Sequence, residues 1–186
     1  LAREHPDHPL AKERDAADAF LEMLGRKGTQ AEADVLRDLF AAQGYAVADL
    51  SGTVGLPRHE RAERTADALR AKPEVLYQAP LTGGGFFGIA DFLVRADVAA
   101  AICARGGGGA DAGGAEASEG YAVWDSKLAR RARPNQVLQL CCYAEMYEAM
   151  VGAPPVGAAL LLDGAAARVL PVRLSEHRSY YRSVRA

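Results

Sequence analysis

Two apolar runs, Val75 to Ala79 and Phe86 to Arg95, flank the turn Gly83-Gly84-Gly85. Runs this short, bounded by glycine, read as β-strands. One residue is out of place in them. Asp91 stands within Phe86 to Val94, an otherwise apolar segment. A carboxylate in such a strand is costly to bury without a cation partner. The fold must therefore bring a cation, or groups that hold one, to this strand.

A further strand, Tyr121 to Lys127, carries Trp124-Asp125-Ser126-Lys127. Side chains alternate along a strand, so Asp125 and Lys127 share a face and Ser126 points the other way. Alone, Asp-x-Lys is more often a surface ion pair than a catalytic one. Its weight comes from what surrounds it.

The flanking segments read as helices and short strands. Residues 10–27 place Ala16, Ala17, Phe20, Leu21 and Leu24 at helical spacing, and Gly28 is expected to interrupt that helix. A second helix is expected from Thr29, an N-cap residue with Glu32 three positions on, and Gly44 ends it. Its apolar positions are Val35, Leu36, Leu39 and Phe40. Tyr45 to Leu50 reads as a strand. Pro57 to Lys72 reads as an exposed helix laced by i,i+3 and i,i+4 charge pairs. Pro134, allowed at the first helical position, opens a helix to Met150, closed by Gly152 and Pro154-Pro155. Ala158 to Leu162 and Arg168 to Val172 form a last strand pair around Gly164. Residues 106–120 are a Gly/Ala/acid tract, expected to be a disordered surface insertion. The predicted class is α/β, with a central mixed β-sheet flanked by α-helices.

At 186 residues the chain suits one domain with a real core. The domain is expected over 28–186, after a helical segment at 1–27. Its formal net charge of -2 does not exclude a polyanionic partner. Lys127, Arg130, Arg131 and Arg133 crowd one short stretch, and phosphate binding needs only a local basic patch. The three cysteines, Cys103, Cys141 and Cys142, include no C-x-x-C pair, which excludes a zinc ribbon and a self-contained iron–sulfur site. A reduced, intracellular, soluble setting is expected. No apolar run reaches the roughly 18 residues that span a bilayer, so no membrane partner is expected. The chain begins with Leu1 rather than Met, and flanking domains are expected in a longer protein.

Two carboxylates from neighbouring strands, Asp91 and Asp125, suit a hard divalent cation such as Mg²⁺ or Mn²⁺. Such an ion polarises a phosphate and lowers the pKa of bound water. Lys127 would orient that water or stabilise charge on the phosphate. Glu32, in step with Val35, Leu36 and Leu39, would reach the metal or position a water. Gln139 and Tyr143, at i and i+4, share a helix face, with Gln136 one turn before. They and Arg130, Arg131 and Arg133 would contact a nucleic-acid backbone or support the site.

This ordered series resembles the RecB-like nucleases of the PD-(D/E)XK superfamily, over about Gly28 to Tyr181. It is carried by Gly88-Ile89-Ala90-Asp91-Phe92-Leu93, Trp124-Asp125-Ser126-Lys127-Leu128-Ala129-Arg130 and Gln139-Leu140-Cys141-Cys142-Tyr143. The resemblance implies a restriction-endonuclease-like core and a metal-dependent nuclease, an exonuclease of DNA repair or recombination, acting on DNA or, as a lesser variant, RNA. It implies a helicase or RNase H-like companion domain. It makes Asp91, Asp125 and Lys127 the metal and catalytic positions, Glu32 the first-helix acid, and Gln139/Tyr143 the DNA-contact motif. One position departs from it: many relatives have histidine where this chain has Ala31. The rival readings are a degenerate nuclease fold that only binds nucleic acid, and a structural domain of a larger repair protein.

Overall fold

The computed structural model describes residues 9–105, 119–162 and 168–185, with side chains from Leu21 onward except Leu24. The tract at 106–118 and the turn at Gly164 lie outside the described residues, as do the side chains of Ala16, Ala17, Phe20 and Leu24.

Six strands form one sheet in sequence order: β1 (Val47–Asp49), β2 (Val75–Gly83), β3 (Phe86–Arg95), β4 (Tyr121–Lys127), β5 (Gly157–Leu162) and β6 (Arg168–Pro171). β1–β2 and β4–β5 are parallel, and β2–β3, β3–β4 and β5–β6 are antiparallel. The helices are α1 (Pro9–Val35), α2 (Arg58–Arg70), α3 (Ala96–Arg105), α4 (Pro134–Val151) and α5 (Leu174–Arg185). Parallel strands need a long crossover, and α4 supplies it between β4 and β5. The predicted class holds: a mixed sheet flanked by helices, consistent with a restriction-endonuclease-like core.

The sheet separates two cores. On one face Leu76, Leu81, Leu93, Val123 and Leu160 pack against Leu140, Ala144 and Tyr147 of α4 and Leu174 and Tyr181 of α5, with Ala68 and Leu69 of α2 alongside. On the other, Val75, Tyr77, Phe92, Val94, Trp124 and Leu161 meet Val35, Phe40 and Val98, Ile102 and Cys103 of α3.

The helix break expected at Gly28 is not there. α1 runs through Gly28 and Thr29, so the boundary placed at 27/28 falls inside it. A helical glycine costs about 1 kcal/mol against alanine, which the turns on either side outweigh. Thr29 does not cap; its Oγ1 donates back to the Gly25 carbonyl at 3.2 Å. Leu21, expected on the apolar face, is exposed. A π-helical turn, Leu36–Phe40, continues α1, then a 3₁₀ turn, Ala41–Gln43, which Gly44 ends at φ 80°. π turns close on i+5, so Val35 and Phe40 both bury against the sheet. Phe40 lies 5.1 Å from Phe92 and 6.2 Å from Trp124, ring centre to ring centre. Glu32, one turn before Val35, is thereby delivered to the sheet. Two helices, α3 and α5, had no counterpart in the sequence reading. Of the i,i+3 and i,i+4 charge pairs expected along α2, the structure forms Asp67–Arg70, and the neighbours His59 and Glu60 make a long contact of 4.0 Å.

α4 approaches the β2–β3 hairpin closely because the hairpin offers glycine. A Cβ on Gly83 would stand 2.6 Å from the Ala149 Cβ and 3.1 Å from the Met146 Cα. Gly83→Ala must push the α4 backbone away, and is expected to destabilise by about 2 kcal/mol. A urea-unfolding midpoint equal to that of the wild type would show that the helix yields freely.

Candidate active site

The β3–β4 ladder runs from Arg95↔Tyr121 to Phe92↔Trp124 and stops. The next step would pair Asp91 with Asp125. Instead the strands fork, and the Ser126 N–H donates to Asp91 Oδ2 at 2.7 Å while the Ser126 hydroxyl donates to the same oxygen at 3.1 Å. Ser126 was read as turned away from the site; the fork lets it hold Asp91 all the same.

The cause lies in the backbone. Leu76 and Ala79 sit in one core cluster, as do Ala90 and Leu93, although residues three apart on a regular strand face opposite sides. Both strands therefore slip phase, at Gln78 and at Asp91. These two residues stand opposite one another, between the pairs Tyr77↔Phe92 and Ala79↔Ala90. Gln78 absorbs the slip at φ 52°, a region that costs a non-glycine residue on the order of 1 kcal/mol. Its side chain offsets this by a bond: Gln78 Nε2 donates to Glu32 Oε2 at 2.7 Å. Gln78 and Ser126 are thus site residues that the sequence reading missed. Neither has a sequence signal, since both act through the fork.

The forked strands gather charge. The Asp125 side chain is 0% exposed, and Lys127 Nζ lies 2.5 Å from its Oδ2 as an ion pair. Neither Asp125 oxygen has a partner in proper hydrogen-bond geometry. Burial, and then the Asp91 carboxylate, push the Asp125 carboxyl up to about 7, against the pull of Lys127. Burial also raises Asp91, opposed by the Ser126 hydrogen bonds and by Lys127. Glu32 is pushed up to about 7 by partial burial and by Asp91 and Asp125, with Lys127 pulling down. Three acids and one lysine therefore share one electrostatic environment.

α4 closes the other side. Gln139 Nε2 donates to the Tyr143 hydroxyl at 2.8 Å. Burial raises the Tyr143 phenol, which also feels Asp125 and Asp91, so the pair stands beside the carboxylates. Gly88 makes room for it: a Cβ there would meet Tyr143 Cε1 at 2.8 Å. Tyr143 is buried and Gln139 half-buried. Gln136 is buried too, and its Oε1 accepts from the Arg133 N–H at 2.8 Å, fastening the start of α4. Arg130, Arg131 and Arg133 are exposed on the β4–α4 link, and the Arg130 carbonyl accepts from Arg168.

The residues suit a hard cation in part. Among the described residues no three His, Cys, Asp or Glu side chains form a ready metal cage. Two carboxylates do meet, and the buried Asp125 oxygens lack hydrogen bonds. Mg²⁺ asks no more than one or two carboxylates, taking water and phosphate oxygens for the rest. Repelling carboxyls at a fork are what a divalent cation would relieve. Among the described residues no helix is long and apolar enough to cross a membrane.

Compared with protein-family models and with curated proteins, the chain matches none of them.

Proposed function

We propose that this chain is a Mg²⁺- or Mn²⁺-dependent nuclease that hydrolyses DNA phosphodiester bonds, a PD-(D/E)XK enzyme of the RecB-like kind. One observation carries the reading: a buried Asp125, ion-paired to Lys127 but without a well-formed hydrogen bond, meets Asp91 where β3 and β4 part. Asp91 and Asp125 would hold the cation, with Glu32 as an auxiliary ligand. When bound, the cation polarises the scissile phosphate and acidifies a water.

The remaining work belongs to side chains. Lys127, partly exposed beside Asp125, supplies positive charge to a phosphate oxygen as the attacking water adds to phosphorus and the ester oxygen leaves. Glu32 keeps Oε2 in its bond from Gln78, which leaves Oε1 to orient the water or take its proton. Ser126 fixes the Asp91 carboxylate, and Tyr143 with Gln139 stands beside the carboxylates. Arg130, Arg131 and Arg133 hold the phosphate backbone at the rim.

Labelled single- and double-stranded DNA, incubated with Mg²⁺, Mn²⁺ or EDTA, tests this. Cutting is expected with either metal, none in EDTA, and none in Lys127→Ala or Asp91→Ala. A second reading has its own support: Ala31 stands where the resembled nucleases often have histidine, and among the described residues no three-residue metal cage is formed. It makes the chain a degenerate module that binds DNA without cutting. DNA binding by the wild type, with no cleavage in either metal, would establish it instead.

A further inference from the structure

The charged helix α2 flanks the end of the sheet where the strands fork. β1 runs parallel to β2, and α2 begins after the carboxyl end of β1. β2 runs on past Gln78 into the hairpin, where Phe87 pairs with Thr82. The start of α2 and this hairpin therefore lie toward the same end of the sheet as the fork. There Arg58 and Arg61 sit over the Phe87 ring, their guanidinium carbons 5.4 and 5.3 Å from its centre. Phe87 is four residues before Asp91 on β3, roughly 13 Å along the strand.

These two arginines differ from those that the fold ties to acids. On α5, Arg178, Arg182 and Arg185 are matched by Glu148 and Glu145. Arg37, Arg70 and Arg95 pair with nearby acids. Neither Arg58 nor Arg61 is in an ion pair among the described residues, and Arg61 Nε is buried without a hydrogen-bond partner. Their charge is unspent while their planes are held. A guanidinium fixed on an aromatic ring loses less freedom on gripping a planar anion, and its fork matches a phosphate.

Resting on the nuclease reading, we infer that Arg58 and Arg61, braced by Phe87, form a phosphate clamp for a single-stranded DNA backbone. In strand order the clamp lies beside β2–β3 and the Arg131–Arg133 link beyond β4, so a strand laid over the fork meets a basic group on either side of the carboxylates. Phe87 is the positioning residue, and the two arginines make the contact.

The test uses fluorescence anisotropy of a labelled thirty-nucleotide oligo-dT strand, in EDTA so that nothing is cut, over a range of NaCl. Arg58→Gln/Arg61→Gln is expected to weaken binding by about tenfold and to flatten the log Kd–log salt slope by roughly 0.7 per arginine. Phe87→Leu, which keeps an apolar side chain, is expected to weaken binding about threefold. Arg182→Gln, on the far helix, is expected to change neither. Thermal unfolding of each variant confirms that it is folded. Cleavage in Mg²⁺ is measured beside it, where the clamp variants are expected to raise KM and leave kcat. Wild-type affinity and slope in the double variant would overturn the clamp, as would a wild type that does not bind the strand. Salt-dependent binding lost in the double variant, from a wild type that never cuts, would uphold the clamp and refute the nuclease.

Discussion

Asp125→Asn is expected to lower metal-dependent cleavage by about 10³-fold while making the metal-free protein more stable at pH 8. Both effects come from one geometry. The carboxylate is fully buried, and its oxygens lack hydrogen bonds of proper geometry. A charge so placed destabilises the fold, because the one ammonium beside it, Lys127, replaces only part of its hydration. Asparagine keeps the shape and discards the charge. Lys127 loses its ion-pair partner, but it is 24% exposed and can turn to solvent. With the carboxyl pushed up to about 7 from 3.8, the relief is on the order of 4 kcal/mol at pH 8. Urea unfolding in EDTA gives one readout and DNA cleavage the other. An Asn variant less stable than the wild type would mean that Asp125 is an ordinary structural ion pair, and the cation site would fail with it.

That opposition between stability and activity bears on what the sequence could reveal. β4 was legible residue for residue, because an alternating strand with a misplaced acid is a local pattern. α4 was legible from Pro134 and Gly152 for the same reason. The meeting of Asp91 with Asp125 and Lys127 was expected from adjacent strands, and the structure brings them together. Its means were hidden. The phase slip at Gln78 and Asp91 exists only when β2 and β3 pair, and nothing about a glutamine announces φ 52°. Ser126 points away from Asp125 and Lys127 as alternation predicts, and its hold on Asp91 was hidden because it needs the slip in β3. Gln136, read as a backbone contact or a support for the site, is buried and fastens the start of α4, and a polar residue near a helix start signals both. Gly28 looked like a break, yet tertiary packing of Val35 and Phe40 anchors the helix beyond it. α3 and α5 escaped because half of α3 is alanine and most of α5 is polar, so the residues that face the core, such as Val98 and Ile102 in one and Leu174 and Tyr181 in the other, are few.

The second large effect is a reversal of the usual acid sensitivity. In EDTA the protein is expected to melt at a higher temperature at pH 5 than at pH 8. Asp125 and Glu32 have folded-state values near 7, above their ordinary 3.8 and 4.5. Between about pH 4 and 7 the folded protein holds protons that the unfolded chain has released. Where the folded state binds more protons, stability falls as pH rises. The site therefore costs nothing below pH 4 and reaches its full cost above pH 7. Asp38 and Asp97 pull the other way, but their values are lowered by Arg37 and Arg95, so their stability is lost only below pH 4. A divalent cation competes with those protons for the same oxygens. Adding Mg²⁺ or Mn²⁺ at about a hundred times its dissociation constant is worth about 2.7 kcal/mol. In a domain this size that is a rise of roughly 5 to 10 °C at pH 8, and much less at pH 5, where protons occupy the site. Differential scanning fluorimetry across the two pH values, with and without metal, reads all four states. Melting temperatures that climb with pH in EDTA would deny the strained carboxylates. A metal-induced rise that survives in Asp125→Asn would place the ion elsewhere, and Asp125 would lose its role as a ligand.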